Sequence, residues 1–223
     1  MPVLGITWFN AARYCNWLHH GKTNDLSKLE YGAYDLRNVV DNIPPERSEG
    51  ARFWIPTFDE YLKATYYDPN KFGEGRGGWW EQPNGSDTEL IVGAPSEGGQ
   101  TNAGLSEYDV DETSAEILRL GAYEDVTSPW GLLDVSGGGS EWVDGPVGTG
   151  QASYRYRVGS SAYFSISGDS PTALDAAYAF QAGPAWAPVL TSFRVASTVP
   201  SPSTTACGVL AVFTTFPRKR KGI

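Results

Sequence analysis

The chain has 223 residues, room for one domain with a substantial core, and carries 26 glycines, 15 prolines, 8 tryptophans, 12 tyrosines and 9 phenylalanines. Such a mixture of turn formers and aromatics excludes a helix bundle and suits a loop-heavy α+β or β domain. A formal charge of −9 and a pI near 4.7 leave no basic footprint before the last few residues, which argues against nucleic acid as a partner. Two cysteines, Cys15 and Cys207, do not make a disulfide framework. The two histidines, His19 and His20, are adjacent, so on a helix they point apart and support no zinc site.

Residues 1–21 read as a strand end followed by a helix. Thr7 is an N-cap candidate, and Trp8, Ala11, Ala12, Cys15 and Leu18 recur at helical spacing, with Gly21 as the stop. Cys15 falls on the apolar face, with no thiolate-stabilising neighbour in sequence, and reads as core. Residues 22–50 are polar and turn-rich. Phe53, Trp54 and Ile55 read as a strand. Thr57 and Glu60 then form a T-x-x-E capping box, and Phe58, Tyr61, Leu62 and Thr65 share one helical face until Pro69 ends the run. The capping role accounts for Glu60 more simply than acid/base chemistry does.

Residues 70–126 form a long irregular stretch. Its glycines lack the strand-to-helix context of a phosphate loop. Asp109, Asp111 and Glu112 lack the glycine and terminal glutamate of an EF-hand and read as a solvated turn. Long loops on a rigid base are common binding surfaces.

Residues 127–144 carry the densest signal. Ser128-Pro129 opens a turn, and Trp130, Leu132, Leu133 and Val135 form a short apolar run. Gly137, Gly138 and Gly139 follow, and then Glu141, Trp142 and Asp144. Three successive glycines are kept where φ must be positive or another backbone comes close. Two readings stay open. One is a tight turn between two strands with its tryptophans in the core. The other gathers Asp134, Glu141, Asp144 and bare carbonyls around one hard cation. Further on, Tyr154, Tyr156 and Val158 alternate with Arg155 and Arg157 as a half-buried strand, and Phe193 and Val195 flank Arg194 in a second.

Residues 198–223 change composition. A Pro/Ser/Thr linker precedes a mostly apolar run from Ala206 to Phe216, and then comes the basic cluster Arg218, Lys219, Arg220, Lys221. Eleven apolar residues are too few to span a bilayer, which needs about twenty. Basic residues after an apolar run fit positive charge kept on the cytoplasmic side. A disordered, solubilising tail is the plain alternative.

Several of these blocks resemble one family. The run from Pro129 through Leu132, Leu133, Asp134 and Gly137 to Glu141-Trp142 resembles the PYGLYDMAGNVWEW signature of the formylglycine-generating-enzyme, or sulfatase-modifying-factor, family. Pro2-Val3 through Trp17-Leu18, Glu30 through Leu36, Ile55 through Pro69, Arg155 through Ala162, and Ser192-Phe193-Arg194-Val195-Ala196 resemble its other blocks, in order. The resemblance implies an α+β, C-type-lectin-like (formylglycine-generating-enzyme) fold over 1–197, with short helices, mixed sheets and much irregular loop. In the family a further segment precedes the first of these blocks, so the resemblance implies an N-terminally incomplete domain. The absent basic-then-apolar leader fits that expectation.

Family oxidases convert a substrate cysteine to formylglycine with a copper-binding cysteine pair, thiolate suiting soft Cu(I). Carried onto this chain, the pair falls at Phe164 and Asp169, and no cysteine lies between Cys15 and Cys207. The resemblance therefore implies no catalytic residues here and leans away from an enzyme. The family also builds a calcium site at the signature turn. Here it would fall to Gly138, Gly139 and Glu141, a weak Ca2+ site with backbone carbonyls standing in for lost side chains.

The tail resembles a PEP-CTERM sorting signal, with Ser201 in place of the usual glutamate and a short apolar run. It implies an exosortase-type partner, a bacterial cell-envelope or extracellular location, and membrane contact only through residues 198–223. The expected function is a non-catalytic exported surface module binding an unknown ligand through its loops. The alternative is an oxidoreductase converting a sulfatase-type cysteine to formylglycine.

Overall fold

The computed structural model describes residues 3–103, 118–145, 155–158, 179–185, 187 and 191–198. Phe164, Asp169, the 109–112 acidic turn and nearly all of the tail lie outside them.

Helix α1 spans Trp8–His19, and the Thr7 side chain accepts a hydrogen bond from the Asn10 N–H at 3.0 Å. The helix closes at His20, and Gly21 follows at φ 72°, a left-handed conformation that glycine adopts without strain. Trp8, Ala11, Ala12 and Cys15 are fully buried, as their spacing predicts, whereas Leu18 is only half-buried. Asn16 lies in the core beside them, and periodicity gives no hint of it. Its Nδ2 donates to the carbonyls of Leu29 (2.8 Å) and Tyr34 (2.9 Å), and its Oδ1 accepts from the Tyr34 N–H (2.8 Å). Those three bonds make its burial affordable and pin the connecting loop to α1.

The capping box forms as the sequence predicts. In α2 (Phe58–Tyr66) Thr57 caps the Glu60 N–H, and Glu60 Oε2 accepts from the Thr57 N–H at 2.8 Å. The same oxygen takes the Trp54 indole N–H at 2.9 Å. Glu60 thus ties α2 to β1 (Phe53–Trp54) and is fully accounted for by structure. Within the irregular region, β2 (Tyr67–Asp68) and β3 (Gly78–Trp79) pair antiparallel, a hairpin the sequence pattern does not announce.

The largest sheet joins β4 (Ser140–Val143), β5 (Arg155–Val158), β6 (Ala179–Ala182) and β7 (Thr191–Phe193) in the order β6-β5-β4-β7. β4 is central, antiparallel to β5 and parallel to β7. The strand expected around Phe193–Val195 is split. β7 ends at Phe193, and the chain leaves the sheet at Arg194 and Val195 before β8 (Ala196–Ser197) pairs with β1. At the break the Arg194 guanidinium reaches Glu141 on β4 and the carbonyls of Leu133 and Asp134 before it.

Trp142 on β4 and Trp8 on α1 anchor one core together with Tyr34 and Ile55. Trp8 meets Tyr34 edge-to-face at 5.1 Å, and the Trp142 indole donates to the Ile6 carbonyl at 2.9 Å. Burial of such rings contributes most of the apolar stabilisation. The result is the α+β architecture expected, with short helices, small mixed sheets and much loop. Among the described residues no helix is long and apolar enough to cross a membrane.

Candidate functional site

The glycine turn sits at the entrance to β4, but its surroundings differ from both sequence readings. No strand leads into it: residues 130–139 are bends, turn and irregular backbone. The segment is held by Ser128, whose Oγ accepts from the Trp130 and Leu132 N–H groups at 3.2 Å each. Trp142 is buried at 1% exposure, but Trp130 is 52% exposed, with its indole hydrogen-bonded to the Tyr67 carbonyl at 2.7 Å. A tryptophan with a surface acceptor within reach of its N–H has no need of the core.

Gly137 has φ 79° and Gly138 φ 61°. A Cβ on Gly137 would collide with Asn102 Oδ1, the atom that accepts the Gly138 N–H at 2.7 Å. Close approach and positive φ together require glycine here. Thr101 Oγ1 and Ser136 Oγ share a hydrogen bond at 2.9 Å and lock the same junction.

Of the three carboxylates read as one candidate cation cage, Asp144 parts from the other two, while Asp134 and Glu141 line one cleft. Asp144 is buried on the core side, where Tyr34 donates its hydroxyl to Oδ2 at 3.0 Å. Tyr34 in turn accepts the Ile55 N–H at 3.0 Å, and burial, reinforced by Asp144, drives its phenol pKa far up. Asp134, at φ 55°, accepts the Gly121 N–H on both oxygens, at 3.1 and 2.8 Å.

Glu141 pairs with Arg194: Nε donates to Oε2 at 2.7 Å. The other Arg194 nitrogens donate to the carbonyls of Leu133 (3.0 Å) and Asp134. Burial pushes the Glu141 carboxyl above its ordinary range, against the pull of Arg194. Burial works against the Arg194 charge as well, but Glu141, with Tyr61 and Asp134 adding to it, holds the guanidinium above its usual value. At the turn proposed for calcium, Gly138, Gly139 and Glu141 do come together. The positive charge beside Glu141, however, belongs to a guanidinium that a cation would have to meet.

Above this ion pair opens a cleft of about 160 Å³. Its floor is Gly137, Gly138, Gly139, Glu141 and Arg194. Its walls include Leu118, Leu120, Leu133, Tyr123 and Phe193, with Asp134 and Asn102 alongside and Arg119 exposed. Burial lifts the Tyr123 phenol to about 12, and its hydroxyl donates to the Gly93 carbonyl at 3.0 Å, bracing the wall.

Sequence reading found the turn and Glu141 but missed Arg194, Asn102 and Tyr123. Arg194 was visible only as the polar member of an alternating strand, and nothing local marks Asn102. Cys15, the one described cysteine, is fully buried in the core. Burial, with Asp144 adding to it, raises its thiol to about 12.

Phe164 offers no lone pair and Asp169 a hard oxygen, so the residues at the expected pair do not fit copper.

Two solved structures share this fold at low identity. CarF aligns with TM-score 0.58 and 18% identity over 89% of this chain and 68% of its own. Variable protein 1 of Treponema denticola aligns with TM-score 0.52 and 17% identity over 88% of this chain and 70% of its own. No curated protein matches the sequence. The sulfatase-modifying factor enzyme 1-like domain matches residues 1–199 of the chain, which therefore belongs to that family.

Proposed function

We propose that the chain is a non-catalytic module of this fold, displayed at a bacterial cell envelope and binding a ligand through its loops. The observation that carries the reading is the state of its sulfur. The family's copper chemistry needs a thiolate pair with four residues between, and the resemblance carries those positions onto Phe164 and Asp169, neither of them a cysteine. Cys15 cannot substitute: it has no solvent exposure, and its thiol is raised to about 12. Cys207 belongs to the tail, outside the described residues.

A cleft with apolar walls and a few convergent polar groups is the usual form of a small-molecule site, and the one over the glycine turn has that form. Display at the envelope is supported by the tail alone. Its linker, apolar run and basic cluster fit handling by an exosortase-type enzyme, and the tail would be the sole membrane contact.

The catalytic alternative is tested by incubating the protein with copper, oxygen and a Cys-x-Pro-x-Arg peptide. Mass spectrometry is expected to find the peptide cysteine unchanged. Formylglycine above the copper-only background would overturn the reading.

A further inference from the structure

Shortly after β3 the chain makes a tight turn, Gln82-Pro83-Asn84-Gly85-Ser86, closed by the Gln82 N–H donating to the Ser86 carbonyl at 2.9 Å. Its two ends are held firmly. The Glu81 N–H donates to Asp87 Oδ1 at 3.0 Å, and Lys71 Nζ reaches both oxygens of Asp87 at 3.0 Å. The Thr88 N–H donates to Ser86 Oγ at 2.9 Å, and Pro83 is fully buried. The middle of the turn is not held. Among the described residues the Asn84 side chain makes no hydrogen bond, although its Oδ1 is buried, and the Gly85 N–H makes none either. Buried amide oxygens are normally paired. Here the fold neither stabilises the Asn84 amide nor ties it away from the backbone.

Asn84-Gly85 is also the single Asn-Gly pair in the chain. Closing a ring between an asparagine Cγ and the next backbone nitrogen is crowded by any side chain on that next residue. Gly85 has none, and among the described residues nothing beyond its chain neighbours comes closer than 3.9 Å to where a Cβ would stand. Asp144-Gly145 is the matching aspartate pair, but its carboxylate is committed: Oδ2 accepts from Tyr34 and Oδ1 from the Gly145 N–H.

We propose that Asn84 is a site of spontaneous deamidation in the folded protein. The Gly85 backbone nitrogen, its proton lost to hydroxide, attacks Cγ of Asn84. The N–Cγ bond forms, the Cγ–Nδ2 bond breaks, and Nδ2 takes a proton from water and leaves as ammonia. Water then opens the cyclic imide, with no change of oxidation state. Cleavage of the Cγ–N bond leaves aspartate. Cleavage between the Asn84 carbonyl carbon and that nitrogen leaves isoaspartate, with the backbone routed through the former side chain. Either product adds a negative charge between Glu81 and Asp87, and isoaspartate also lengthens the turn that the Gln82–Ser86 bond closes.

The test follows Asn84 by peptide mapping and mass spectrometry. The whole chain is incubated in heavy-oxygen water at neutral and mildly alkaline pH, folded and, in parallel, unfolded in guanidinium. Heavy oxygen marks only molecules that react during the incubation. A site that reacts only from the unfolded chain is slowed by the folding equilibrium constant, about 10³–10⁸ for small domains. A turn that reacts as it stands needs at most a small local opening, so its rate is expected within about a hundredfold of the unfolded chain's. The rate should rise with pH, and both aspartate and isoaspartate should form. Asn70 and Asn102, whose Oδ1 atoms accept the Gly75 and Gly138 N–H groups, should stay intact in the folded protein over the same time. Asn84→Gln would have to close a larger ring and should remove the signal from this peptide.

A folded rate more than about a hundredfold below the unfolded one would overturn the proposal, because the turn would then be protected. So would an Asn84 inert in both states, aspartate formed without isoaspartate, or a signal that persists in Asn84→Gln. None of these results touches the non-catalytic reading, which the formylglycine assay decides separately.

Discussion

Replacing Arg194 with methionine removes one side of the Glu141 pair and keeps most of the hydrocarbon stem. The side chains are 22% and 12% exposed for Arg194 and Glu141, so solvent screens the pair little. Removing one partner of a buried pair costs about 3–5 kcal/mol, mostly because the other charge is left uncompensated. The carbonyls of Leu133 and Asp134 lose donors as well. For a domain of this size each kcal/mol is worth ~2–4 °C, so Tm should fall by about 6–20 °C.

The sign of the pH dependence follows from Glu141. Its folded-state carboxyl already titrates above the ordinary range because of burial. Its stabilising share is therefore complete below the unfolded value, about 4.3, and is lost as pH rises through the folded value. Without the guanidinium the folded value climbs further. The Arg194→Met penalty should then be largest near pH ~7 and shrink toward pH ~4, where Glu141 is protonated with or without Arg194. Urea unfolding of both proteins at several pH values measures this. The double variant Arg194→Met, Glu141→Leu should recover much of the loss. A penalty that is flat with pH, or a double variant no better than the single, would refute the electrostatic account.

Gly137→Ala forces a Cβ into Asn102 and a left-handed φ on alanine; it should cost about 1–3 kcal/mol, read from the urea midpoint. Thr57→Ala opens the α2 capping box and should cost about 1 kcal/mol by the same measurement. Tyr34→Phe removes the hydroxyl between Asp144 and the Ile55 N–H and should cost about 1–3 kcal/mol, a cost that a solvent-exposed tyrosine would not show. In a Cys207→Ser background, native protein at pH ~8 should resist iodoacetamide and take up one label only when unfolded, because Cys15 is buried with its thiol raised to about 12.

Local rules made α1 and α2 legible in the sequence. Thr7, Thr57 and Glu60 cap helices through bonds to residues three positions away, and such signals survive without knowledge of the fold. The buried face of α1 was legible for the same reason. Asn16 was not, because its partners Leu29 and Tyr34 lie 13 and 18 residues on. The glycine turn was visible as a demand for positive φ. What presses on it, Asn102, is 36 residues from Gly138 and cannot be inferred from composition. The acidic residues around the turn looked like one cluster because they are close in sequence. Asp144 leaves the other two because side chains alternate along β4 and past its end: Glu141 faces the cleft that Asp134 also lines, and Asp144, three residues on, meets Tyr34 on the core side. The ion-pair partner of Glu141, Arg194, is 53 residues away and equally out of reach of local sequence signals.

Adding Cu(I) to the reduced protein under a competing chelator and following thiolate-to-copper absorption tests the missing metal grip most directly. No such band should develop, and the chelator should keep the metal. One copper per chain held against the chelator with a thiolate band, persisting in Cys207→Ser, would contradict the account at its root.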